Sequence, residues 1–544
     1  RQSRFDEISE IRKSIAIVEW IKTGKQEIDS AEVEISRFGK LRQEERTAIT
    51  ELEVLSNQYS SLLEIHERSK EVLRLRRFLL EKKEERQSMA HTNNVQPTLN
   101  DIVALCKRRG FIFPSSEIYG GFAASWDYGP LGVELKNNVK QLWWRDVVTN
   151  SDNVVGMDGA ITTHPRVWEA SGHVEGFHDP MVDCKTCGHR FRADKLDEET
   201  CPNKPSKKVS ECGGELTDVR NFNLMFKLHW GPVEDSANIT YLRPETCQTI
   251  FPNFKNILTV SRMRVPFGIA QVGKSFRNEI TTKSFIFRQR EFEQMELEFF
   301  SHPDEAKKWF EYWLERRKKW YIGIGVREEN LRMRQHDADE LAHYADDCYD
   351  VEYKFPMGWS ELEGIANRTN YDLTRHMEFS KKDLSYRDDI TGEKYIPYVI
   401  ESSAGVDRTI LVLLSDAYDI DQAPNDKGEM EERLVLRFSP QVAPVSVAVF
   451  PLFKKPNLVE IARKIESDLR GPYRTMYDET GNIGKRYRRQ DEIGTPLCIT
   501  VDYDSLDDHA VTIRNRDSME QVRVGIDQIH QAVADQMKSM CSSI

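Results

Sequence analysis

Cysteine is scarce in this sequence, nine among 544 residues, which argues against a secreted scaffold held by disulfides. No apolar run approaches the roughly 20 residues that a membrane span needs. No stretch with a charged start, an apolar centre and small residues opens the chain as a secretory signal would. An excess of positive charge is also absent: 77 Lys and Arg face 89 Asp and Glu, a net charge of −12. That argues against a basic coat or tail, yet leaves room for a nucleic-acid partner met by a local patch. The expectation is a soluble, cytoplasmic protein. At roughly 100–200 residues per domain, its length suggests about three or four domains.

The local absences are as informative. Residues 1–88 contain no proline and no cysteine, and only two glycines, Gly24 and Gly39. They hold 18 basic and 18 acidic residues, so the net charge sits entirely in the rest of the chain. Missing breakers and dense mixed charge predict long helix. Leu52, Tyr59, His66, Leu73 and Leu80 recur every seven residues, and Leu55 and Leu62 supply the offset position before Ser69 and Arg76 break it. This is a short, imperfect coiled-coil seam, in a helical hairpin turning near Gly39. It reads as a solvated arm or as a contact arm for RNA or a protein. The chain opens on Arg1, which points to a fragment, a processed product or a fusion, and Met89 stands where a separate chain could begin.

From Pro97 the texture is globular. Near the end, Val445, Val447 and Val449 alternate, a helical Leu458–Leu469 follows, and then come strands at Pro496–Val501 and His509–Ile513 and a last helix around Met519–Met537. That alternation predicts a mixed α/β domain of about 100 residues. The acidic tract Ser415–Glu432 reads as its linker. Upstream, Gly268-Ile-Ala-Gln-Val-Gly273-Lys274-Ser275 satisfies a phosphate-loop pattern. Such a loop needs a helix behind it. Phe276 to Arg288 shows none, with Phe285-Ile286-Phe287-Arg288 alternating, so strand, turn and strand are expected instead.

Read as a strand, Arg288 to Glu296 places Arg288, Arg290, Phe292, Gln294 and Glu296 on one face and Met295, Leu297 and Phe299 on the other. The first face would line a polar cleft, the second a core. Arg277 and Glu279 would share a face just upstream. Arginine forks suit phosphate, and Phe292 offers a plate for a purine. A second strand ends in Ile396-Pro-Tyr-Val-Ile-Glu401-Ser402-Ser403-Ala404-Gly405-Val406-Asp407-Arg408. Glu401 and Ser403 share a face, Gly405 permits a close turn, and Arg408 opens the next helix.

With these residues the chain resembles the glycyl-tRNA synthetases of the single-chain, homodimeric class II type, over about residues 97–540. Phe111–Gly121 and Asp127–Gly132 look like that family's N-terminal signature. Thr163–His173 looks like its motif 1, which implies a homodimer interface. Phe276–Phe292 looks like motif 2 and Gly405–Arg408 like motif 3. The resemblance implies an α+β fold: an antiparallel-sheet catalytic domain at 97–430 with a Cys-containing insertion at about 182–215, and an α/β anticodon-binding domain at 440–544, behind the helical arm of 1–88. It implies ATP contacts at Arg277, Asn278 and Glu279, along Phe287, Arg288, Gln289, Arg290, Glu291 and Phe292, at Glu361 and Leu362, and at Gly405, Val406, Asp407 and Arg408. Arg277, Glu279 and Arg408 would be catalytic. It implies glycine contacts at Arg192, Glu245, Phe292, Glu293, Gln294, Met295 and Glu296, and at Glu401, Ser402, Ser403, Ala404 and Gly405. Cys247 and Thr249 stand where smaller residues are expected after Glu245-Thr246.

The chemistry expected is ATP-dependent ligation of glycine to tRNA. Glycine offers only an ammonium and a carboxylate, so Glu245, Glu296 and Glu401 are candidate ammonium partners. Glycine carboxylate would attack the ATP α-phosphate, with Arg277 and Arg408 stabilising charge and Mg2+, on Glu361 and Glu401, holding the pyrophosphate. The alternative is a non-catalytic, synthetase-like nucleic-acid-binding protein, which would have lost the arginines and glutamates present here. Cys184, Cys187, Cys201 and Cys212 follow a C-x2-C-x13-C-x10-C pattern that suits a structural Zn2+, with His189 as a substitute ligand. His164 and His173 suit structural hydrogen bonding ahead of general-base work. Lys485-Arg486-Tyr487-Arg488-Arg489 suits RNA.

Overall fold

The computed structural model describes residues 96–232, 238–280, 284–342, 344–424 and 428–541. The predicted coiled-coil arm, its heptad Leu52–Leu80 and the break at Met89 lie outside them. Asn94 to Ile544 forms one compact unit.

A seven-stranded sheet organises this unit. Its strands are β1 (Val154–Gly156), β2 (Phe267–Phe276), β3 (Glu291–Ser301), β4 (Leu331–Gln335), β5 (Asp347–Phe355), β6 (Gly358–Asn367) and β7 (Tyr398–Gly405), in the spatial order β4-β5-β6-β7-β3-β2-β1. Every pairing is antiparallel except β2 with β1. The pleat divides the residues of β3 as the alternation predicts. Met295, Leu297 and Phe299 are buried in the main core, against Trp309 and Trp313 of helix α3 (Ala306–Gly323) and beside α4 (Val406–Ala417). Helices α1 (Leu99–Arg109) and α2 (Pro130–Trp144) add Ile102, Leu105, Leu135, Val139 and Trp143 to that core. The start of α1 is a reciprocal cap: Thr98 accepts from the Asp101 amide, and the Asp101 carboxylate accepts from Thr98. Gly110, at φ +78°, closes it in a left-handed turn that favours glycine.

The phosphate-loop-like run lies inside β2 with no helix behind it, and Lys274 pairs with Glu291 across the strands. Three expectations nearby need correction. β3 begins at Glu291, so Arg288 and Arg290 precede its pleat. β2 stops at Phe276, so Arg277 and Glu279 sit in irregular chain. Phe285–Phe287 is a short 3-10 turn, entered through left-handed Ser284 and Phe285. Its apolar residues anchor a loop in the core: Phe285 meets Trp126 edge-on at 4.7 Å, and Ile286 is buried.

The tract read as a linker is a β-hairpin, β8 (Tyr418–Pro424) with β9 (Met430–Leu436). Beyond it, β10 (Val447–Pro451), β11 (Thr475–Tyr477), β12 (Leu497–Val501), β13 (Ala510–Asn515) and β14 (Gln521–Gly525) make a mixed sheet in the order β11-β10-β12-β13-β14, carrying α5 (Pro456–Leu469), α6 (Ile483–Ile493) and α7 (Ile529–Cys541). The last predicted helix thus divides: Gln521–Gly525 pairs with β13 as an edge strand, and helix starts only at Ile529. The run 485–489 falls on α6, and four of its five side chains have partners within the protein. Arg486 is buried and donates to the Pro451 and Gly481 carbonyls. Tyr487 meets Thr500, and Arg489 is held by Asp478. Lys485 alone of the run is exposed.

Candidate active site

The polar face of β3 continues past the expected residues. Gln294, Glu296 and Glu298 point to the same side as Ser403 and Glu401 of β7, with Glu296 paired to Ser403 and Glu298 to Glu401 in the ladder. Glu245, on the loop after Tyr241, closes the pocket from above with Thr246 and Cys247. The Thr246 hydroxyl donates to Glu296 at 2.5 Å, and the Cys247 thiol lies 2.9 Å from Glu245. Donor atoms of Cys247, Glu296, Glu298 and Glu401 all lie within 4.8 Å of one another. Four carboxylates, counting Glu245, therefore share one buried volume.

One guanidinium offsets part of this charge, and one imidazole comes close to it. Arg368, just after β6 and almost fully buried, grips Glu401 through both oxygens at 3.0 and 3.1 Å and Asp372 at 2.7 and 3.0 Å. His173 approaches Glu245 at 3.3 Å. Burial opposes ionisation of Glu245, but His173 and Arg368 hold its carboxyl well below the usual range. The opposite holds next door. Burial, with Glu401 and Glu245 adding like charge, pushes Glu296 up to about 8. Burial, with Glu401 and Glu296 adding like charge, also pushes Glu298 well above its ordinary value, and neither of its oxygens has a hydrogen-bond partner. Arg368, Asp372, Glu298 and His173 were not singled out for this pocket by sequence. Of these, only Glu298 carried a usable signal, as the next residue in the β3 alternation.

A second region lies toward the start of β3. The Arg277 guanidinium is sandwiched between the rings of Phe177 and Phe292, 5.4 Å from each. Arg408, in the first turn of α4, lies over Phe287 at 4.6 Å and pairs with Glu361 at 3.1 Å. Glu361 reaches this face by a bulge. Between Val351 and Glu352 the β5–β6 register slips, Leu362 turns into the core, and Glu361 emerges toward Arg408. Arg408 foremost, with Arg277 and Arg288, holds the Glu361 carboxyl below its ordinary value. Three guanidiniums thus gather at one end of an aromatic-lined cleft. Glu279 stands 3.9 Å from Arg288. The Asn278 amide donates to the Leu224 carbonyl, and Arg290 donates to the carbonyls of Ala123 and Glu279.

Several residues expected here are turned elsewhere. Met295, Ala404, Val406 and Leu362 are in the core. Ser402 donates to Glu363, which is bound to Arg317 behind the sheet. Asp407 is buried, accepting from Tyr128, Lys136 and the Glu293 amide, while Glu293 pairs with Lys136 and Lys140. Gln289 is buried against the Ile286 carbonyl, and Glu291 is exposed beside Lys274. Gly405 packs its backbone against the Arg408 stem. Arg192 lies on the three-stranded sheet of the insertion, clamped by Asp179 and Asp194, with Glu279 near enough to act on its charge.

Metal positions can be tested on the same geometry. Glu401 pairs with Ala366, so Glu361 lies four to five residues away along β6, about 13–16 Å at strand spacing. Glu361 and Glu401 do not fit one Mg2+ ion, a correction to the expected pair. In the insertion, Cys184 lies beside Cys187 and Cys201 beside Cys212, and the Gly214 amide donates to the Cys212 sulfur at 3.4 Å, but among the described residues these thiols do not form a set of three or more donors within 4.8 Å of one another. His189 turns its Nδ1 to the Cys187 carbonyl. His164 caps a helix by accepting from the Arg166 amide.

Comparisons with known proteins agree with this arrangement. Residues 226–417 match the tRNA synthetase class II core domain (G, H, P, S and T), and 446–536 match the anticodon binding domain. In solved structures, the fold resembles a prolyl-tRNA synthetase from Cryptosporidium parvum, with a TM-score of 0.57 at 14% identity over 81% of this chain and 76% of that one. A glycine–tRNA ligase of Treponema denticola is 58% identical over 428 residues, 78% of this chain and 94% of its own length. Those of Bifidobacterium longum and Caldanaerobacter subterraneus are 54% and 53% identical, over 81% and 82% of this chain and 93% and 99% of theirs. With identity at this level spanning nearly the whole of each relative, the chain belongs to the glycine–tRNA ligase family.

Proposed function

We infer that the chain is an ATP-dependent ligase that activates glycine as glycyl-adenylate and transfers it to the 3′ end of tRNA(Gly). The observation that carries this reading is the buried cluster of Glu245, Glu296 and Glu401 at one end of a cleft whose other end gathers Arg277, Arg288 and Arg408. An ammonium is matched to the first end and a polyphosphate to the second. Glycine lies between them, its ammonium among the carboxylates and its carboxylate toward the nucleotide. Side chains beyond hydrogen at the α-carbon are rejected by overlap with the packed walls, so no editing site is needed.

MgATP enters as substrate. Phe292, stacked on Arg277, and Phe287, under Arg408, flank the nucleotide. The glycine carboxylate oxygen forms a bond to the α-phosphorus as the bond to the pyrophosphate oxygen breaks. Arg277 and Arg408 stabilise the negative charge that develops in that step. A ribose hydroxyl of the tRNA end then attacks the glycyl carbonyl, and AMP leaves. No side-chain nucleophile takes part. Glu279 orients Arg288, and Arg368 and Asp372 fix Glu401. The C-terminal domain meets the tRNA, and the resemblance of Thr163–His173 to motif 1 supports a homodimer, working in the cytoplasm.

Amino-acid-dependent ATP–pyrophosphate exchange tests the reading. Exchange is expected with glycine and not with alanine or serine, and no tRNA is required. Absence of exchange with all three, in folded protein with Mg2+, overturns it in favour of a non-catalytic nucleic-acid-binding role. The four insertion thiols, paired two by two and chemically suited to Zn2+, are read as a structural zinc site. Bound zinc measured on the purified chain should fall by about one equivalent in Cys184→Ser, the change expected from losing one of four ligands.

A further inference from the structure

A second set of donors lies on the cleft face of the sheet, beyond the residues that bind glycine or ATP. Cys348 and Asp350 are two residues apart on β5, and so share a face. His336 follows the end of β4 and folds over them. Its amide donates to the Cys348 carbonyl at 3.0 Å, and its Nε2 lies 2.9 Å from Asp350 Oδ2. The imidazole nitrogen, the thiol sulfur and the carboxylate oxygen all lie within 4.8 Å of one another.

The sheet register sets this group two strands from the glycine pocket. Cys348 pairs with Ala366, which pairs with Glu401. Asp350 pairs with Gly364, which pairs with Ser403. Each row therefore runs from the cluster, across one small residue, to the pocket. Two strand spacings separate the ends, about 10 Å. At Gly364 an added Cβ would meet only Asp350 Oδ1, at 3.9 Å, so the missing side chain leaves a trough beside the cluster. The three donors are half-buried, enough to shed water but with access kept. The acidic groups acting on Cys348 (Asp350, Glu401, Glu361 and Asp347) give the position a negative potential that favours a cation.

The donor chemistry selects among cations. Mg2+ takes oxygen and avoids thiol and imidazole. Nitrogen, sulfur and one carboxylate suit Zn2+ and its neighbours in the first transition row. Three protein ligands leave a fourth position, and the trough supplies the space for it. We propose that His336, Cys348 and Asp350 bind a Zn2+-class divalent ion at the flank of the cleft, with the remaining coordination position facing the trough. On binding, the metal–sulfur bond replaces the thiol S–H, the proton goes to solvent, and the His336–Asp350 hydrogen bond opens. Nothing is oxidised or reduced.

The test is a Co2+ titration of the metal-stripped full-length chain, followed by its visible ligand-field band and its thiolate-to-cobalt charge-transfer band. The intact chain should take up one Co2+ that Cys348→Ser loses or holds at least about tenfold more weakly, with His336→Ala behaving alike. Cys184→Ser, which disables the insertion thiols, should retain that ion. Glycine-dependent exchange measured without added transition metal should be unchanged by Cys348→Ser and by His336→Ala, which shows that both variants are folded. The proposal fails if Cys348→Ser and His336→Ala bind as many ions as the intact chain with equal affinity. It also fails if every thiolate band disappears in Cys184→Ser.

Discussion

At the scale of single residues, the pocket is short of positive charge. Four carboxylates are buried together, with the Arg368 guanidinium on Glu401 and the His173 ring beside Glu245. Burial beside like charge pushes the Glu298 carboxyl well above its ordinary range, and the Glu296 carboxyl up to about 8. An incoming ammonium supplies what is missing, and the ionised form of Glu296 binds it best. Below pH 8 the free pocket holds a proton that the glycine complex gives up, so glycine affinity should climb as pH rises from 6 to 8. One proton released corresponds to a change of up to about tenfold per pH unit. The same group acts on folding with a defined sign. Its acidity is lower in the folded chain than in the unfolded one, so its contribution to stability declines as pH rises from about 4.5 toward 8. Glycine KM in the exchange reaction, measured from pH 6 to 8.5, checks the first statement. A flat profile removes Glu296 from ammonium binding, and Glu296→Gln should flatten the slope if the assignment is right.

At the scale of elements, the hairpin β8–β9 is tied to the C-terminal sheet by ions. Arg433 is fully buried and donates to Asp421, to Asp491 and to the Arg516 carbonyl. Arg514 shares Asp491, and Arg437 joins Asp419, Asp421 and Asp517. Truncating one partner strands buried charge on the others. Arg433→Ala should cost about 3–5 kcal/mol of stability, read from urea unfolding, whereas the loss should be under about 1 kcal/mol if these ions are solvated. This hairpin also marks the limit of what sequence patterns disclose. Its acid-rich text reads as linker because nothing local shows that Asp421 will meet Arg433, or that Asp491 lies beneath both. The β3 alternation was legible, since period two is a local property of Gln294 to Phe299. So was the passage from strand to helix at Gly405, though Gly405 stays extended and no turn residue intervenes. The bulge that delivers Glu361 was not, because it depends on which residue of β5 faces it. Phe285–Phe287 misled for a related reason: alternating apolar residues bury equally well from a loop. Arg368 gave no signal at all, since its partners come from β7 and from one helical turn ahead.

At the scale of the molecule, catalysis and the N-terminal segment can be separated. Asn94 to Ile544 forms a compact unit by itself. It contains both matched domains and every residue of the pocket, the cleft and the flank. The curated relatives span 93–99% of their own length while matching 78–82% of this chain. About a fifth of the chain is therefore additional to what glycine activation requires in that family. A chain beginning at Asn94 should then keep glycine-dependent pyrophosphate exchange within about twofold of the full chain, as expected when a separate unit is removed. Exchange and tRNA charging should be measured side by side on both forms. If exchange survives and charging falls, the first 93 residues act on tRNA or on a partner rather than on the chemistry. If exchange itself collapses in a folded Asn94 chain, the segment is part of the catalytic unit and the separation argued here is wrong. Limited proteolysis of the full chain gives an independent reading. A stable fragment starting near residue 89 accords with an appended module, and a protected junction accords with an integrated one.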